Sequence, residues 1–548
     1  MNSLKPMLLS LLKSYDKSQF FKDVTAGIIV AIIALPLSIA LALASGVGPE
    51  AGIFTAIVAG FVISALGGSS VQIAGPTAAF ATIVAGIVAH DGMDGLIVAT
   101  ILAGIFLILM GLCHFGSLIK FIPFTITTGF TSGIAVTIVI VQLKDFFGLI
   151  YPNGVKPIET VEKFEAVINN FSTINMDAVL VGIVCLAILI ISPYIFKRIP
   201  GSLLAVIAGI AMVQLLPLKV NTIGNLYTIS NALPTLHFPG LSLNIIQNAL
   251  PNALTIAVLA AIESLLSCVV ADGMINGKHR SDMELVAQGA GNIASALFGG
   301  IPATGAIART AANIKNGGRT PIAGMVHSIT LVIVLVVLMP YAGMIPMPTI
   351  AAILFIVAYN MCQWRTFLNL VKTAPKSDVI VLVTSFVLTV IFDLVVAIEV
   401  GMVLACLLFI KRMSEETKVN GWTYVDDDTP DVDEHLQKLP LQIRVYEISG
   451  PLFFGAASVI EEIAVKDFTK CLVLRMRSVP ALDSTALNAL KDLVQVCESK
   501  GITIVFSHVN NQPMKVMEKA GFIELVGKEN FQLNISAALD RAEEIIHK

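Results

Sequence analysis

The fold of this chain is decided by two stretches that interrupt its apolar segments: Gly67-Gly68-Ser69-Ser70-Val71-Gln72-Ile73-Ala74-Gly75-Pro76-Thr77-Ala78-Ala79-Phe80 and Gly299-Gly300-Ile301-Pro302-Ala303-Thr304-Gly305-Ala306-Ile307-Ala308-Arg309-Thr310. Both place glycine and proline where a membrane-spanning helix would otherwise be continuous. Proline lacks the amide hydrogen that a helix interior needs, but it suits a first helical turn. Each stretch therefore predicts an extended approach followed by a short helix, which begins near Pro76 in the first and near Thr304 in the second.

A helix that begins inside the membrane presents unpaired amide hydrogens and the positive end of its dipole to the protein interior. Such helix starts can hold an anion without dedicated side chains. The first break lies in the third predicted span and the second in the tenth. Because these spans run in opposite directions, we predict an inverted repeat with an anion site between its halves. The alternative, that glycine and proline merely allow close helix packing, does not explain two matched breaks.

The composition is that of an integral membrane protein. Hydrophobic residues make up 56% of the chain and charged residues 13%, whereas a soluble domain has roughly 25% charged residues. Hydropathy predicts about fourteen spans between Asp23 and Arg412. Lysine and arginine concentrate in loops on the side of the N-terminus. The positive-inside rule then predicts a multi-pass protein of the bacterial inner membrane with both termini in the cytoplasm.

Changes in composition predict four parts: a cytoplasmic N-terminal segment 1–22, a transmembrane transport domain 23–413, a linker 414–436 and a cytoplasmic domain 437–548. The N-terminal segment has no small-residue cleavage site before the first span, so we interpret it as an amphipathic lead-in rather than a signal peptide. The linker is polar and acidic. The last part alternates short strands with helical patterns, which predicts a small α/β domain.

Two ionisable residues lie within predicted spans. Arg309 sits one turn into the second short helix, where an unpaired charge costs at least about 2.5 kcal/mol. An anionic substrate or a carboxylate would compensate it. Glu263 is a candidate for ion coupling, since a carboxyl group in the membrane can bind a proton, and Ser267 follows one turn later on the same face. A structural ion pair between Glu263 and Arg309 is the alternative, and the two roles are compatible.

Several classes of function find no support. The sequence has no nucleophile with a base, no metal-ligand pair and no phosphate-binding lysine loop, so we predict no enzyme activity, no cofactor and no metal site. It has no basic stripe for nucleic acid. The seven cysteines show no paired spacing. We interpret one group of polar residues as a solvated cytoplasmic loop: Asp272, Lys278, His279, Arg280, Asp282 and Glu284.

A set of motifs resembles the SulP (solute carrier 26) anion transporters over nearly the whole chain. These motifs are the Asp23 to Gly27 entry, Gly75-Pro76-Thr77, Ile262-Glu263-Ser264-Leu265-Leu266, Lys278-His279, the stretch from Gly299 to Asn313, and Leu482-Asp483-Ser484-Thr485. The amino-acid sequences of residues 129–133 and 289–292 are most similar to those of the bacterial C4-dicarboxylate members.

The resemblance implies an all-α polytopic membrane domain of fourteen spans, built as a seven-plus-seven inverted repeat with UraA-like core and gate domains. It also implies a C-terminal α/β STAS domain that supports a homodimer. The substrate site would lie between the two short helices, and we assign to it Pro76, Thr77, Ala78, Ala79, Phe80, Thr304, Gly305, Ala306, Ile307, Ala308 and Arg309. In the family an acidic residue on the eighth span, here Glu263, is associated with cation coupling, and we add Ser267 to it.

Departures from the family pattern refine this picture. Sodium-coupled bicarbonate members tend to have Asp, Thr and a further Thr where this chain has Glu263, Ser267 and Ile307. Fewer hard oxygen ligands favour protons over sodium. In small regulatory relatives the Asp-Ser-Thr turn of the STAS domain is phosphorylated, which makes Ser484 and Thr485 possible regulatory sites. Helix capping by Asp483 or Ser484 is the alternative interpretation.

The residues and the resemblance together predict a secondary active transporter, a proton symporter that imports a small anion. The favoured substrate is a C4-dicarboxylate such as succinate or fumarate. Backbone dipoles attract sulfate, bicarbonate and dicarboxylates alike, so sulfate or bicarbonate transport is an alternative within the family. Two different classes of function also stay open: an anion channel, and a membrane sensor whose output is the STAS domain. The expected partners are the anionic solute, protons and membrane lipid.

Overall fold

The computed structural model describes residues 4–12, 15–117, 123–152, 157, 159–195, 200–240, 243–392, 394–422, 439–463 and 468–547. The chain divides into two compact units, Met1–Met402 and Val403–Lys548. Among the described residues, the secondary structure of the first unit is helical apart from two very short strands, and the second unit contains a five-stranded sheet.

The elements of the first unit are mostly apolar helices. They are α1 (Met7–Leu11), α2 (Lys17–Ala44), α3 (Pro49–Leu66), β1 (Ala74–Gly75), α4 (Ala78–Leu112), α5 (Phe124–Phe147), α6 (Thr160–Asn169), α7 (Met176–Ile195), α8 (Gly201–Leu215), α9 (Ile223–Leu226), α10 (Leu243–Ile275), α11 (Ser281–Leu297), β2 (Thr304–Gly305), α12 (Ile307–Lys315), α13 (Ile322–Ala342), α14 (Met347–Cys362), α15 (Trp364–Thr373), α16 (Lys376–Ile391) and α17 (Leu394–Glu416), of which α17 continues into the second unit.

Fourteen segments of the described residues correspond to the predicted spans. They are α2, α3, the two parts of α4, α5, α7, α8, α10, α11, α12 with its approach, α13, α14, α16 and α17. Gly92, with a φ of 70°, separates the two parts of α4. Eight helices of the described residues are long and apolar enough to cross a membrane. The shorter segments include α8, α11 and α12, as expected where helices are broken inside the bilayer.

Helix packing in the first unit repeats after seven segments. The first segment, α2, packs against the eleventh, α13. Seven segments further along the chain the same contact recurs, since the eighth segment, α10, packs against the fourth segment, which is the second part of α4. Likewise α3 packs against α13 as α11 packs against α4. Segments that are seven apart, α3 with α11 and α5 with α14, pack against each other. This is the contact pattern of two intertwined inverted repeats.

The same contacts separate two groups of helices. One group, the core, contains α2, α3, α4 and α10 to α13, and it includes both broken spans. The other group, the gate, contains α5, α7, α8, α14 and α16, which pack around α5 and α14. The arrangement agrees with the predicted core and gate domains.

The second unit is a small α/β domain. Its elements are β3 (Lys418–Trp422), β4 (Ile443–Ser449), a 3-10 helix (Ala457–Glu462), β5 (Cys471–Ser478), α18 (Ser484–Ser499), β6 (Thr503–Ser507), α19 (Asn511–Lys519), α20 (Phe522–Val526), a 3-10 helix (Lys528–Asn530), β7 (Phe531–Gln532) and α21 (Ile535–His547). The sheet order is β3-β4-β5-β6-β7, with β3 antiparallel and the other pairs parallel. Helices cover both faces: Leu472 and Leu474 of β5 pack with α18, and Val473 packs with α21. Parallel strands are usually buried in this way.

The predicted linker needs a correction. Residues 418–422 are part of the sheet, because β3 pairs along its whole length with β4. The helix α17 also extends to Glu416, beyond the predicted end of the transport domain. In residues 418–422, Val419 alternates with polar neighbours as in a strand, but this pattern is short and lies next to the acidic run. It was therefore too weak to predict a strand. Residues 423–436 of the predicted linker lie outside the described residues.

Candidate anion-binding site

The two broken spans meet at a short antiparallel β-pair. The strands Ala74–Gly75 and Thr304–Gly305 pair with each other. Beside them, the amide of Ala306 donates a hydrogen bond to the carbonyl of Ile73 at 2.9 Å. Inside a membrane no water is available for backbone groups, so this pairing is what allows the extended approaches to exist there.

Glycine makes room for a side chain of the core in both strands of the pair. A Cβ atom on Gly75 would overlap the Nη1 of Arg309, and one on Gly305 would overlap the side chain of Gln72. The two glycines therefore let polar side chains of the core lie directly against the backbone at the crossing point.

Both short helices start later than the sequence predicts. The first begins at Ala78 rather than at Pro76, and the second begins at Ile307 rather than at Thr304. The residues before the observed starts have extended backbone, because their chains continue from the β-pair. Half-helix starts inside the core are thus present as predicted, but shifted by two or three residues.

The first-turn amides of these helices have no side-chain cap. The residues that precede them, Thr77 and Ala306, make no capping hydrogen bond. At α12 the helix start is open, since Ile307 is 38% exposed and Ala308 is exposed as well. At α4 the first turn, residues 78–80, is buried. A solute can therefore approach α12 most directly.

Arg309 lies beneath these helix starts and is 1% exposed. Its Nη2 donates a hydrogen bond to the carbonyl of Pro76 at 3.0 Å. Its Nε and Nη1 have no hydrogen-bond partner among the described residues. The predicted alternative of an ion pair with Glu263 is not formed in the part of the chain that the structure describes. The guanidinium thus keeps unused donors inside the core.

Glu263 belongs to α10, and its side chain lies beside the start of the other half-helix, α4. Its Oε2 accepts a hydrogen bond from the Oγ1 of Thr77 at 2.8 Å. The Glu263 side chain is half-buried. One turn further along α10, Ser267 is 1% exposed and its Oγ has no hydrogen-bond partner among the described residues. Glu263 therefore couples to the α4 start through a side chain of the predicted substrate site.

The structure adds Glu284, which the sequence pattern placed in a solvated loop. The loop prediction is wrong for this residue, because α11 already begins at Ser281 and Glu284 is 1% exposed. Its Oε2 accepts hydrogen bonds from the amides of Gly68 at 2.9 Å and Ser69 at 3.1 Å. A buried carboxylate thus anchors the approach to the first half-helix.

The other oxygen of Glu284 reaches toward the β-pair. Oε1 accepts from the Nε2 of Gln72 at 3.0 Å and from the Nε2 of Gln288 at 2.9 Å. Gln72 also donates to Ser264 at 3.3 Å. A sequence signal did exist: Glu284, Gln288 and Asn292 are spaced by four and mark one polar helix face. All three side chains are buried.

Uncharged side chains anchor the approach to the second half-helix. The amide of Ile301 donates to the Oγ1 of Thr55 at 2.7 Å. Asn292 bonds both backbone groups of Ala303, accepting at 2.8 Å and donating at 2.9 Å. Side chains of the neighbouring helices α3 and α11 therefore hydrogen-bond to both approaches. Among the described residues, only the approach to α4 is bound by a carboxylate, that of Glu284.

Two predicted features lie outside this region. Ser484 and Thr485 are exposed in the first turn of α18. The capping residue of this helix is Asp483, whose Oδ1 accepts from the amide of Ala486 at 2.9 Å. Among the described residues, no cluster of histidine, cysteine and acidic side chains could hold a metal ion.

Comparison with family models gives matches over both units. Residues 20–385 match the model described as the sulfate permease family. Residues 437–541 match the model of the STAS domain.

Full-length relatives agree with these matches. The chain is 38% identical to YvdB of Bacillus subtilis (strain 168), which carries the name of a sulfate transporter, over 95% of this chain and 97% of that protein. It is 30% identical to the bicarbonate transporter BicA of a Picosynechococcus species, over 95% of this chain and 94% of that one.

Solved structures support the fold. Murine solute carrier 26 family member A9, an anion transporter, matches with a TM-score of 0.87 at 19% identity, over 99% of this chain and 94% of that chain. The transmembrane domain of a cyanobacterial BicA matches with a TM-score of 0.62 at 28% identity, over 72% of this chain and 98% of that chain.

The fold and the crossing of two broken spans define a multi-pass membrane transporter with core and gate domains. The chain belongs to the sulfate permease (SulP, or solute carrier 26) family of anion transporters and carries a C-terminal STAS domain. The predicted fold and family are thereby confirmed.

Proposed function

We propose that this chain is a proton-coupled importer of a small oxyanion, which binds between the starts of α4 and α12. The observation that carries the proposal is Arg309. It is buried, it donates to a single carbonyl, and two of its nitrogens lack partners among the described residues. A buried guanidinium is stable only if something satisfies it. An anion at the neighbouring helix starts would do so, because carboxylate and sulfate oxygens accept hydrogen bonds from arginine in a fork.

The helix starts would supply the rest of the site. The uncapped amides of residues 307–309 and the positive end of the α12 dipole favour a negative charge at the open end of the helix. The start of α4 adds a second positive end from the opposite direction. Such a site recognises charge and size rather than one particular solute.

Glu263 provides a route to proton coupling. When it is ionised, its carboxylate lies at the start of α4, next to Thr77, and repels an incoming anion. Proton binding removes that charge, so proton and anion would favour each other's binding. Transport would then follow from movement of the core helices against the gate helices, which carries the site across the membrane.

The choice of substrate rests on two kinds of support. The names of YvdB and BicA favour sulfate and bicarbonate. The sequence of residues 129–133, which resembles that of C4-dicarboxylate transporters, favours a C4-dicarboxylate. We propose sulfate as the first candidate, because the relative with that name is 38% identical over 95% of this chain. A C4-dicarboxylate such as succinate is the second.

Uptake into proteoliposomes tests the proposal. Radiolabelled sulfate, succinate and bicarbonate are offered to the full chain under an imposed pH gradient, each with the other two as competitors. Saturable uptake that grows with the inward proton gradient supports a symporter. Uptake that does not saturate and does not respond to the proton gradient would instead indicate a channel.

The coupling role is tested with Glu263→Gln. We expect this variant to keep anion exchange but to lose acceleration by the pH gradient. Glu165→Gln is the matched control, because Glu165 is exposed on α6 and away from both broken spans. If the Glu263 variant responds to the gradient like the wild type, the coupling role is wrong.

Three further proposals follow from the sequence. Both termini lie in the cytoplasm of a bacterial cell, the chain forms a homodimer, and Ser484 or Thr485 is a regulatory site. The exposure of both hydroxyl side chains supports the last of these.

Labelling of single cysteines placed at the two termini in intact cells tests the topology. Deletion of residues 437–548 distinguishes a transporter from a sensor, because a transporter should keep anion binding without this domain.

A further inference from the structure

The helix α15 differs from every span around it. It follows α14, precedes α16 and has no buried residue. Its sequence, Trp364-Arg365-Thr366-Phe367-Leu368-Asn369-Leu370-Val371-Lys372-Thr373, repeats apolar residues at intervals of three and four. At about 100° per residue, this spacing places the apolar side chains on one side and the polar ones on the other. Such a pattern is typical of a helix that lies along a membrane surface.

Only part of the apolar side of α15 is covered by the protein. The Phe367 ring packs edge-on against Phe386 of α16, with ring centroids 5.4 Å apart. The neighbouring stripe is open: Trp364 is 42% exposed, Leu368 46% and Val371 39%. The helix is therefore attached along one edge and presents the remaining apolar side chains outward.

Basic residues border this open stripe. Arg365 and Lys372 occupy the positions next to it around the helix, and Lys376 follows at the start of α16. Arg365 lies over the ring of Trp364, at 5.4 Å from its centroid. In the part of the chain that the structure describes, none of the three cations has a carboxylate within ion-pair distance. Three cations that make no ion pair among the described residues thus lie beside an uncovered apolar surface.

We infer that α15 binds the surface of an anionic bilayer, with its open apolar stripe among the upper acyl chains and its three cations at lipid phosphates. Tryptophan is favoured at that depth, and the indole of Trp364 donates to the hydroxyl of exposed Tyr359 at 3.3 Å. Charge selects the lipid, because each lysine or arginine near an anionic surface contributes about 1 kcal/mol. Zwitterionic lipid offers the same acyl chains without that attraction. This inference does not depend on which anion is transported.

Tryptophan fluorescence tests the inference directly. The chain has only two tryptophans, so Trp422→Phe leaves Trp364 as the single reporter. The full-length variant is reconstituted in phosphatidylcholine vesicles that contain either brominated phosphatidylglycerol or brominated phosphatidylcholine. We expect half-maximal quenching at a mole fraction of the anionic lipid at least about fivefold lower than that of the neutral one, since a single cation already contributes about 1 kcal/mol. Equal quenching by both lipids, or quenching by neither because protein covers the helix, overturns the inference.

A charge variant separates attraction from simple burial. In Arg365→Gln/Lys372→Gln/Lys376→Gln, Trp364 should still be quenched, but equally by both lipids. The matched control removes three charges from exposed lysines of the second unit, Lys500→Gln/Lys515→Gln/Lys519→Gln, and should keep the preference for phosphatidylglycerol. A preference that survives in the first variant would contradict the assignment of the three cations.

Discussion

At the scale of single residues, the proposed binding site depends on the state of the Arg309 guanidinium. It is buried with two unpartnered nitrogens, so the protein bears the cost of this charge when no anion is bound. We predict that Arg309→Gln raises the melting temperature of the anion-free protein. We also predict that it lowers kcat/KM for the transported anion by about a hundredfold, since hydrogen bonds to charged groups contribute about 1.5–3 kcal/mol each. Melting curves with and without sulfate, together with uptake rates, measure both effects.

The control for this prediction is Arg319→Gln. Arg319 is exposed, and its Nη1 donates to the carbonyls of Ile314 and Gly318. Removing it should lower stability slightly and leave stabilisation by the anion intact. A variant at Arg309 that remains fully stabilised by sulfate would contradict the binding role of this residue.

Substitution of Glu284 should lower the melting temperature, unlike substitution of Arg309, because both carboxylate oxygens of Glu284 accept hydrogen bonds. In Glu284→Gln one acceptor is replaced by an amide nitrogen, so either the amides of Gly68 and Ser69 or the side-chain amides of Gln72 and Gln288 lose their acceptor. Each buried unsatisfied amide costs about 1–3 kcal/mol. We predict a lower melting temperature together with slower uptake, and a larger loss in Glu284→Ala. If Glu284→Gln melted and transported like the wild type, the anchor would have no role in placing the half-helix.

At the scale of elements, the two breaks could be predicted because glycine and proline leave a local signal. Their exact starts could not, since the start of α12 at Ile307 depends on pairing of Thr304 with a strand distant in sequence. The role of Glu284 was also hidden, although its spacing with Gln288 was visible, because one sequence does not reveal which helix faces which backbone. The apolar spacing of α15 is visible in the sequence too, but spacing alone does not separate a surface helix from a short span.

The β-pair gives a prediction of its own. A methyl group on Gly75 would overlap the Nη1 of Arg309, so Gly75→Ala should displace the guanidinium and reduce anion uptake at least tenfold. Gly86→Ala is the matched control: Gly86 lies within α4, and a Cβ there meets nothing within 4 Å. That change should stabilise the helix by about 0.5–1 kcal/mol without altering uptake. Equal uptake in the two variants would contradict the close contact at the crossing.

At the scale of the whole molecule, composition predicted the division into a membrane part and an α/β part. Within the predicted linker, residues 418–422 form β3 and belong to the sheet although they lie next to an acidic run. The two units also respond to different conditions. The first unit should be stabilised by the transported anion, because it contains Arg309 and both half-helix starts. The second contains buried thiols that couple its stability to pH.

Burial raises the pKa of the Cys471 thiol from 9.0 to about 12 and that of Cys497 to about 11. The unfolded thiols ionise near their ordinary pKa, whereas the folded ones stay neutral. Their contribution to stability is therefore complete below about pH 9 and is lost as the pH rises toward 12. We predict that hydrogen exchange of the full chain accelerates in β5 and α18 above pH 9, beyond the intrinsic effect of pH.

Cys471→Ala isolates the effect of the thiol with the higher pKa. The variant should be less stable at pH 7, because a small cavity remains beside Val473, but its protection in β5 should fall less steeply between pH 9 and 11. Cys113→Ala, an exposed cysteine of the first unit, should leave the slope of the second unit unchanged. An identical slope in the wild type and Cys471→Ala would mean that other groups cause the alkaline opening. A selective loss of steepness would assign the pH response to the core of the STAS domain and leave the anion response to the membrane unit.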